Sequence, residues 1–356
     1  MNFEKIENFF SNKPDLSNLE ERFAKRNVKK RLKIEHLLWI PSFFFKRIYR
    51  VMPKILKDVF FFLSIIHKSP SSKFFANTKY DELRILIDIW ISSLTLKFSP
   101  AGIFNDLKST FNLGFYSTQV PDISQLDKLI ENVIDYANPS HAGARPFFKD
   151  GKNIELENSF STYFTFSKED NRKINNFLIE NLDENINHHL SVLAGYKCKL
   201  SDISHTLGIV FGENSNSEMH QDTYASVAKG FIYLQEVKEG NSPFEYLQGS
   251  YQDASFRSKL TNEAVINDDT FSSGSTRLRG ENLKKAIKAY GIKSFQGDKG
   301  MFILANTAGY HRKGAHNSSK PRIILACGVK RKGLIRKLLI NFLAILKSKF
   351  NINLKS

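Results

Sequence analysis

Cysteine is nearly absent: Cys198 and Cys327 are the only two in 356 residues. A disulfide framework is therefore excluded as the source of stability, and a chain of this length can bury a core without one. Each cysteine sits in a β-rich apolar run and reads as a buried thiol of a reducing compartment. Long apolar runs are lacking too. No stretch reaches the ~18 uncharged apolar residues that cross a bilayer as a helix. Residues 1–11 carry acids and do not have the basic-then-apolar layout of a secretory signal. A cytoplasmic protein is the expectation. No recognised nucleic-acid module is present, and the aromatic residues cluster with aliphatic ones, so nucleic acid is not expected as a partner.

Acid is what the two ends of the chain lack. Residues 320–356 hold ten basic residues and no acidic one, and residues 22–57 hold twelve against the single acid Glu35. The formal charge of +16 resides in these two segments, and the middle of the chain is close to neutral. Both segments also carry apolar clusters. Leu37, Leu38, Trp39 and Ile40 precede Phe43, Phe44 and Phe45, and residues 59–66 form a second apolar block. The tail, 333–349, is a basic amphipathic helix with Leu334, Ile335, Leu338, Leu339, Phe342, Ile345 and Leu346 on one side. Arg336, Lys337 and Lys347 mark its other side. Such segments suit in-plane helices on an anionic leaflet. They equally suit helices packed on their own domain with cationic stems lying over apolar surface. Peripheral contact of 22–57 and 333–349 with the inner face of a membrane is the expectation taken forward.

Between these ends the periodicity changes once. Apolar residues at 83, 86, 87, 90, 91 and 94 give a helical period over 80–98, and 121–136 and 171–193 show the same spacing. From about residue 196 short apolar runs alternate with Gly, Asn, Ser and Pro turns: 197–200, 205–211, 227–234, 244–247, 300–306 and 321–329. Strands at this spacing after a helical lead-in predict an α+β protein, a double-stranded β-helix (jelly-roll, cupin-like) barrel wrapped by helices. The expected organisation is a basic helical extension over 1–115, the barrel domain over 116–330 and a basic tail over 331–356. Residues 252–298 read as an insertion with one helix at 281–290 and a mobile stretch at 272–275, placed to act as a substrate lid.

The chemistry begins at Glu218-Met219-His220-Gln221-Asp222. On an extended segment the side-chain period is two, so His220 and Asp222 share a face. With His311, from Gly309-Tyr310-His311-Arg312, they make up two imidazoles and one carboxylate. That is the donor set that holds a non-haem iron on one face and leaves three positions open. Arg322 follows His311 by eleven residues, and a planar guanidinium takes a carboxylate by two parallel hydrogen bonds. His316 competes with His311 for the second imidazole position. His205 reads as a satisfied core histidine more readily than as a pocket residue, and His188 and His189 as solvated. Arg312 and Lys313 either steer anionic substrates or face water.

These residues together, His220-x-Asp222, the Gly249-Ser250 turn after an apolar strand, His311 about ninety residues on and Arg322 beyond it, resemble the phytanoyl-CoA dioxygenase-like family of Fe(II)/2-oxoglutarate oxygenases over roughly residues 116–330. The family commonly has His after the Gly-Ser turn where this chain has Tyr251, a position that is not a metal ligand. The resemblance implies that His220, Asp222 and His311 ligate Fe(II). It implies that Arg322 holds the distal carboxylate of 2-oxoglutarate, and only His311 has the family's spacing to Arg322. It also implies hydroxylation, with O2, of a small or lipid- or carrier-linked metabolite, releasing succinate and CO2. With Asp222 present a halide has no vacant ligand position, which favours hydroxylation over halogenation. The alternative reading is a non-catalytic jelly-roll protein that binds an anionic surface through its basic ends.

Overall fold

A computed structural model describes residues 78–135, 145–148, 160–211, 217–222, 225–266, 276–318 and 321–350. The expectations for 1–77, including the basic segment 22–57, for the turn at 212–216 and for the stretch 272–275 lie outside these residues.

Twelve strands among the described residues form two antiparallel sheets. In chain order they are β1 (Phe115–Gln119), β2 (Arg145–Phe148), β3 (Phe160–Thr165), β4 (Ile203–Phe211), β5 (His220–Gln221) and β6 (Ala228–Tyr233). They continue as β7 (Phe244–Leu247), β8 (Thr276–Arg277), β9 (Ile292–Phe295), β10 (Met301–Asn306), β11 (His311–Lys313) and β12 (Arg322–Val329). The larger sheet runs β1-β10-β6-β12-β4-β3-β2 and the smaller β8-β5-β11-β7-β9. Among the described residues no ladder joins the two into a closed barrel. The expected mixture of helices and antiparallel strands is present as two facing sheets with a helical layer.

Strand alternation builds the layers. Along β12, Ile323, Leu325, Cys327 and Val329 enter one apolar cluster, while Ile324 and Ala326 enter another. On β10, Phe302 and Leu304 take the first side, Ile303 and Ala305 the second. The first cluster is closed by helices α3 (Ser124–Asp135), α4 (Lys168–Asn181) and α5 (Ile186–Ala194) through Leu126, Ile130, Ile174, Leu178, Leu190 and Leu193. The second is closed by Phe244, Tyr246 and Phe295 of the smaller sheet. A sheet buried on both faces needs apolar residues at every position, which explains the runs Met301-Phe302-Ile303-Leu304 and Ile323-Ile324-Leu325. Each fully buried Ile or Leu contributes on the order of 2 kcal/mol.

Several expectations are corrected. The helix expected over 171–193 is two, α4 and α5. The Asp183 carboxylate accepts the Asn185 N–H at 2.7 Å, and this local turn interrupts the helical ladder. The insertion at 252–298 is built into the fold: α6 (Ala254–Ile266) packs along α1 (Thr78–Ser93), α7 (Gly280–Tyr290) follows, and β8 and β9 are edge strands of the smaller sheet. Arg257 and Ser258 of α6 are fully buried, so that helix is no lid. His189 is buried rather than solvated; it stacks on Tyr116 with centroids 3.7 Å apart and bonds the Thr110 hydroxyl at 2.8 Å.

The two amphipathic helices at the ends of the described chain are turned over. On α1 the buried positions are Ile85, Asp88, Ile91 and Ser92, while Leu83, Leu86 and Trp90 face outward. On α8 (Leu334–Phe350) the buried positions are Leu334, Lys337, Asn341 and Ala344. Lys337, expected on the solvent side, donates to Asp88 at 2.8 Å and to the Ser226 carbonyl at 2.7 Å. Asn341 donates to the carbonyls of Ile91 and Gly195. Specific polar contacts, not apolar content, set the rotation of both helices.

Candidate metal centre

β5 and β11 are neighbours in the smaller sheet, and their ladder places His220 directly opposite His311. Opposed residues in an antiparallel pair have Cβ atoms about 5 Å apart, and here the rings lie 4.5 Å between centroids. Asp222 leaves the strand two residues after His220, on the same face, with its own N–H donated to the Thr307 carbonyl at 2.9 Å. One carboxylate oxygen lies 3.8 Å from His220 Nε2 and the other 3.5 Å from His311 Nε2. All three donor atoms fall within 4.8 Å of one another. His316 does not join them: half-buried, it shares a hydrogen bond with the Ser242 hydroxyl at 2.8 Å. His205 points into the helical layer, where Asn175 Oδ1 meets its Nε2 at 2.7 Å.

Backbone carbonyls select the tautomers. His220 Nδ1 lies 2.7 Å from the Glu218 carbonyl and His311 Nδ1 lies 3.0 Å from the Gly309 carbonyl. A carbonyl only accepts, so each Nδ1 carries the proton and each Nε2 keeps its lone pair facing Asp222. Glu218 is itself held, its carboxylate bridging Arg277 at 3.1 Å and Arg279 at 2.9 Å. Burial, and then the neighbouring His311, push the His220 pKa down to about 3. Burial works in the opposite sense on Asp222, but Lys229 at 2.7 Å and the two imidazoles hold its carboxyl well below the usual range. At neutral pH His220 therefore offers a neutral nitrogen and Asp222 an anionic oxygen, the states that bind a divalent metal.

The cluster lies on the wall of a cavity of about 390 Å³ between the two sheets. Alternate residues of β12 line it, Arg322, Ile324, Ala326 and Gly328, together with Lys229 and Phe231 of β6, Phe244 of β7 and Lys313 of β11. Arg322 is buried and donates to the Ser242 carbonyl. Arg312 is paired with Glu245 at 2.6 Å, whereas Lys313, two residues after His311, is buried on the cavity side. Tyr251 is buried away from the cavity, and its hydroxyl donates to the Phe111 carbonyl. The structure thus gathers His220, Asp222, His311 and Arg322 around one cavity. Lys229 and the Glu218–Arg277–Arg279 clamp were not legible beforehand; the period-two phase of β6 and β11 is the signal that points Lys229 and Lys313 inward.

No family model and no curated protein matches the chain. Solved structures do resemble it. The alpha-ketoglutarate-dependent epimerase SnoN from nogalamycin biosynthesis, in complex with Fe3+, alpha-ketoglutarate and nogalamycin RO, gives a TM-score of 0.40 at 12% identity, over 65% of this chain and 84% of that one. EctD from S. alaskensis, with 2-oxoglutarate and 5-hydroxyectoine, gives 0.39 at 12% identity, over 65% and 77%. HygX from Streptomyces hygroscopicus, with nickel and 2-oxoglutarate bound, gives 0.32 at 12% identity, over 65% and 86%.

Proposed function

We propose that the chain is an Fe(II)/2-oxoglutarate-dependent oxygenase of jelly-roll type that hydroxylates a C–H bond of a small or lipid- or carrier-linked substrate. The observation that carries this reading is the cluster itself. Two imidazoles with their Nδ1 protons tied to backbone carbonyls, and one carboxylate, converge within 4.8 Å on a cavity wall. A three-ligand site of this kind leaves positions open for a bidentate co-substrate and for O2. The spacing from His220 through His311 to Arg322 fits the phytanoyl-CoA dioxygenase-like pattern.

His220, Asp222 and His311 would hold the metal, which with 2-oxoglutarate and O2 supplies the oxidising power, the oxo acid leaving as succinate and CO2. Arg322 would take the distal carboxylate of 2-oxoglutarate and set its orientation. Phe231, Phe244 and Ile324 give the cavity apolar walls.

The test is anaerobic addition of Fe(II) and 2-oxoglutarate, followed by O2. The expected result is a visible charge-transfer band on chelation and succinate on oxygenation. Folded protein that shows neither would leave the non-catalytic, surface-binding alternative in its place.

A further inference from the structure

We infer that the outward faces of α1 and α8 together form a docking surface for an anionic phospholipid bilayer. This surface does not depend on the reaction proposed above. Each helix buries charged or polar side chains on its inner face among apolar ones, Asp88 and Ser92 on α1 and Lys337 and Asn341 on α8. Each also leaves a row of apolar side chains exposed, where an ordinary surface helix turns that row inward. Trp90 is 57% exposed, Leu86 50%, Leu339 55% and Phe342 54%, and Leu83, Ile335 and Leu343 are exposed beside them.

The two apolar stripes share one side of the molecule. Asp88 accepts the Ser226 N–H at 2.6 Å and Lys337 donates to the Ser226 carbonyl, so both inward stripes converge on one residue. At 3.6 residues per turn, Leu83, Leu86 and Trp90 lie opposite Asp88, and Ile335, Leu339, Phe342 and Leu343 lie opposite Lys337. Both sets therefore point away from the same underlying residue. On α8 the exposed Arg336 and Lys347 flank one edge of the apolar stripe and the exposed Lys349 the other, and no acidic residue occurs on this helix. Apolar side chains at the centre with long cationic ones at the rim is the layout of an interfacial helix, whose cations reach the headgroups while the apolar face enters the acyl boundary.

Charge chooses among the possible occupants. Residues 22–57 of this chain are strongly basic, and so is the rim of a second copy. Either would meet a cationic border with more positive charge. An anionic leaflet is complementary to the rim and to residues 22–57 at once.

The chain has only two tryptophans, Trp39 and Trp90, so a Trp39→Phe variant of the full chain makes Trp90 the sole reporter. The experiment follows its emission and co-sedimentation with vesicles of phosphatidylcholine containing phosphatidylglycerol, and of phosphatidylcholine alone. The expected result is a blue shift and pelleting with the anionic vesicles only, weakened by salt. The bound fraction should fall about tenfold in a Leu339→Ser/Phe342→Ser double variant, whose substituted positions are exposed and whose fold is checked by circular dichroism. Pelleting without a Trp90 shift, or unchanged in the double variant, would assign the attraction to the basic N-terminal residues and overturn the surface. A lipid-free dimer, or a monomer with Trp90 emission already blue-shifted and indifferent to vesicles, would overturn it in favour of a second copy or of the chain's own N-terminal segment.

Discussion

Two carbonyls, those of Glu218 and Gly309, decide that the paired imidazoles present Nε2 to Asp222. Removing a ligand is therefore separable from removing the fold, because the strands are held by their ladders. Asp222→Ala or His311→Ala is expected to lower divalent-metal affinity more than about 100-fold, since loss of an outer partner alone costs 10–100-fold. Anaerobic titration with Fe(II) or Co(II), with circular dichroism unchanged, checks this; near-normal binding would sink the assignment. Arg322→Ala is expected to raise the 2-oxoglutarate requirement roughly 10- to 100-fold, the value of one charge-assisted interaction, while leaving metal affinity in place. Arg322→Lys should restore only part, because an ammonium cannot take a carboxylate by two parallel bonds. A co-substrate affinity that does not change in either variant would remove Arg322 from its proposed role.

At the scale of elements, α8 behaves as part of the domain rather than as a detachable tail. Lys337 and Asp88 are fully buried, and Ser226, to which both bond, lies two residues before β6, the strand that carries Lys229. Lys337→Ala would strand a buried carboxylate and is expected to cost about 3–5 kcal/mol, measured by urea denaturation. Replacing both partners, as Asp88→Leu/Lys337→Leu, should recover most of that loss, because the desolvation of two charges is removed together with their attraction. A double variant no more stable than the single one would show that the Ser226 contacts, not the ion pair, hold the helix. For the same reason, deleting 333–356 would confound a membrane-binding test with unfolding, whereas substitutions on the outward face do not.

For the whole molecule, acid is a stress that the buried histidines make the fold feel. Burial pushes His205 down to about 3 and His189 down to about 4, against 6.5 for an unfolded histidine. A depressed folded value means the unfolded chain takes up the proton first. The stabilisation is complete above pH 6.5 and is lost as pH falls toward 4 and then 3, at roughly 1.4 kcal/mol per unit for each histidine. Thermal melts between pH 7 and pH 4.5 should show Tm falling steadily, and His205→Gln should make that slope shallower. An identical slope in the variant would place the acid sensitivity elsewhere.

Much of the site was legible in the sequence because its information is local. A period of two puts His220 and Asp222 on one face whatever the fold around them, and the apolar runs of β10 and β12 announce strands buried on both sides. The choice of His311 over His316 came from the family resemblance, through its spacing to Arg322. What only the tertiary structure decided were pairings between residues far apart in the chain. The register of β5 against β11 brings His311 to His220, β6 carries Lys229 to Asp222, and the helical layer buries His189. The rotations of α1 and α8 belong to the same class. An apolar stripe read from one helix says which face avoids water, but the Asp88–Lys337 pair lies 249 residues apart in sequence. A buried ion pair at that separation outweighs the stripe and turns the apolar faces outward.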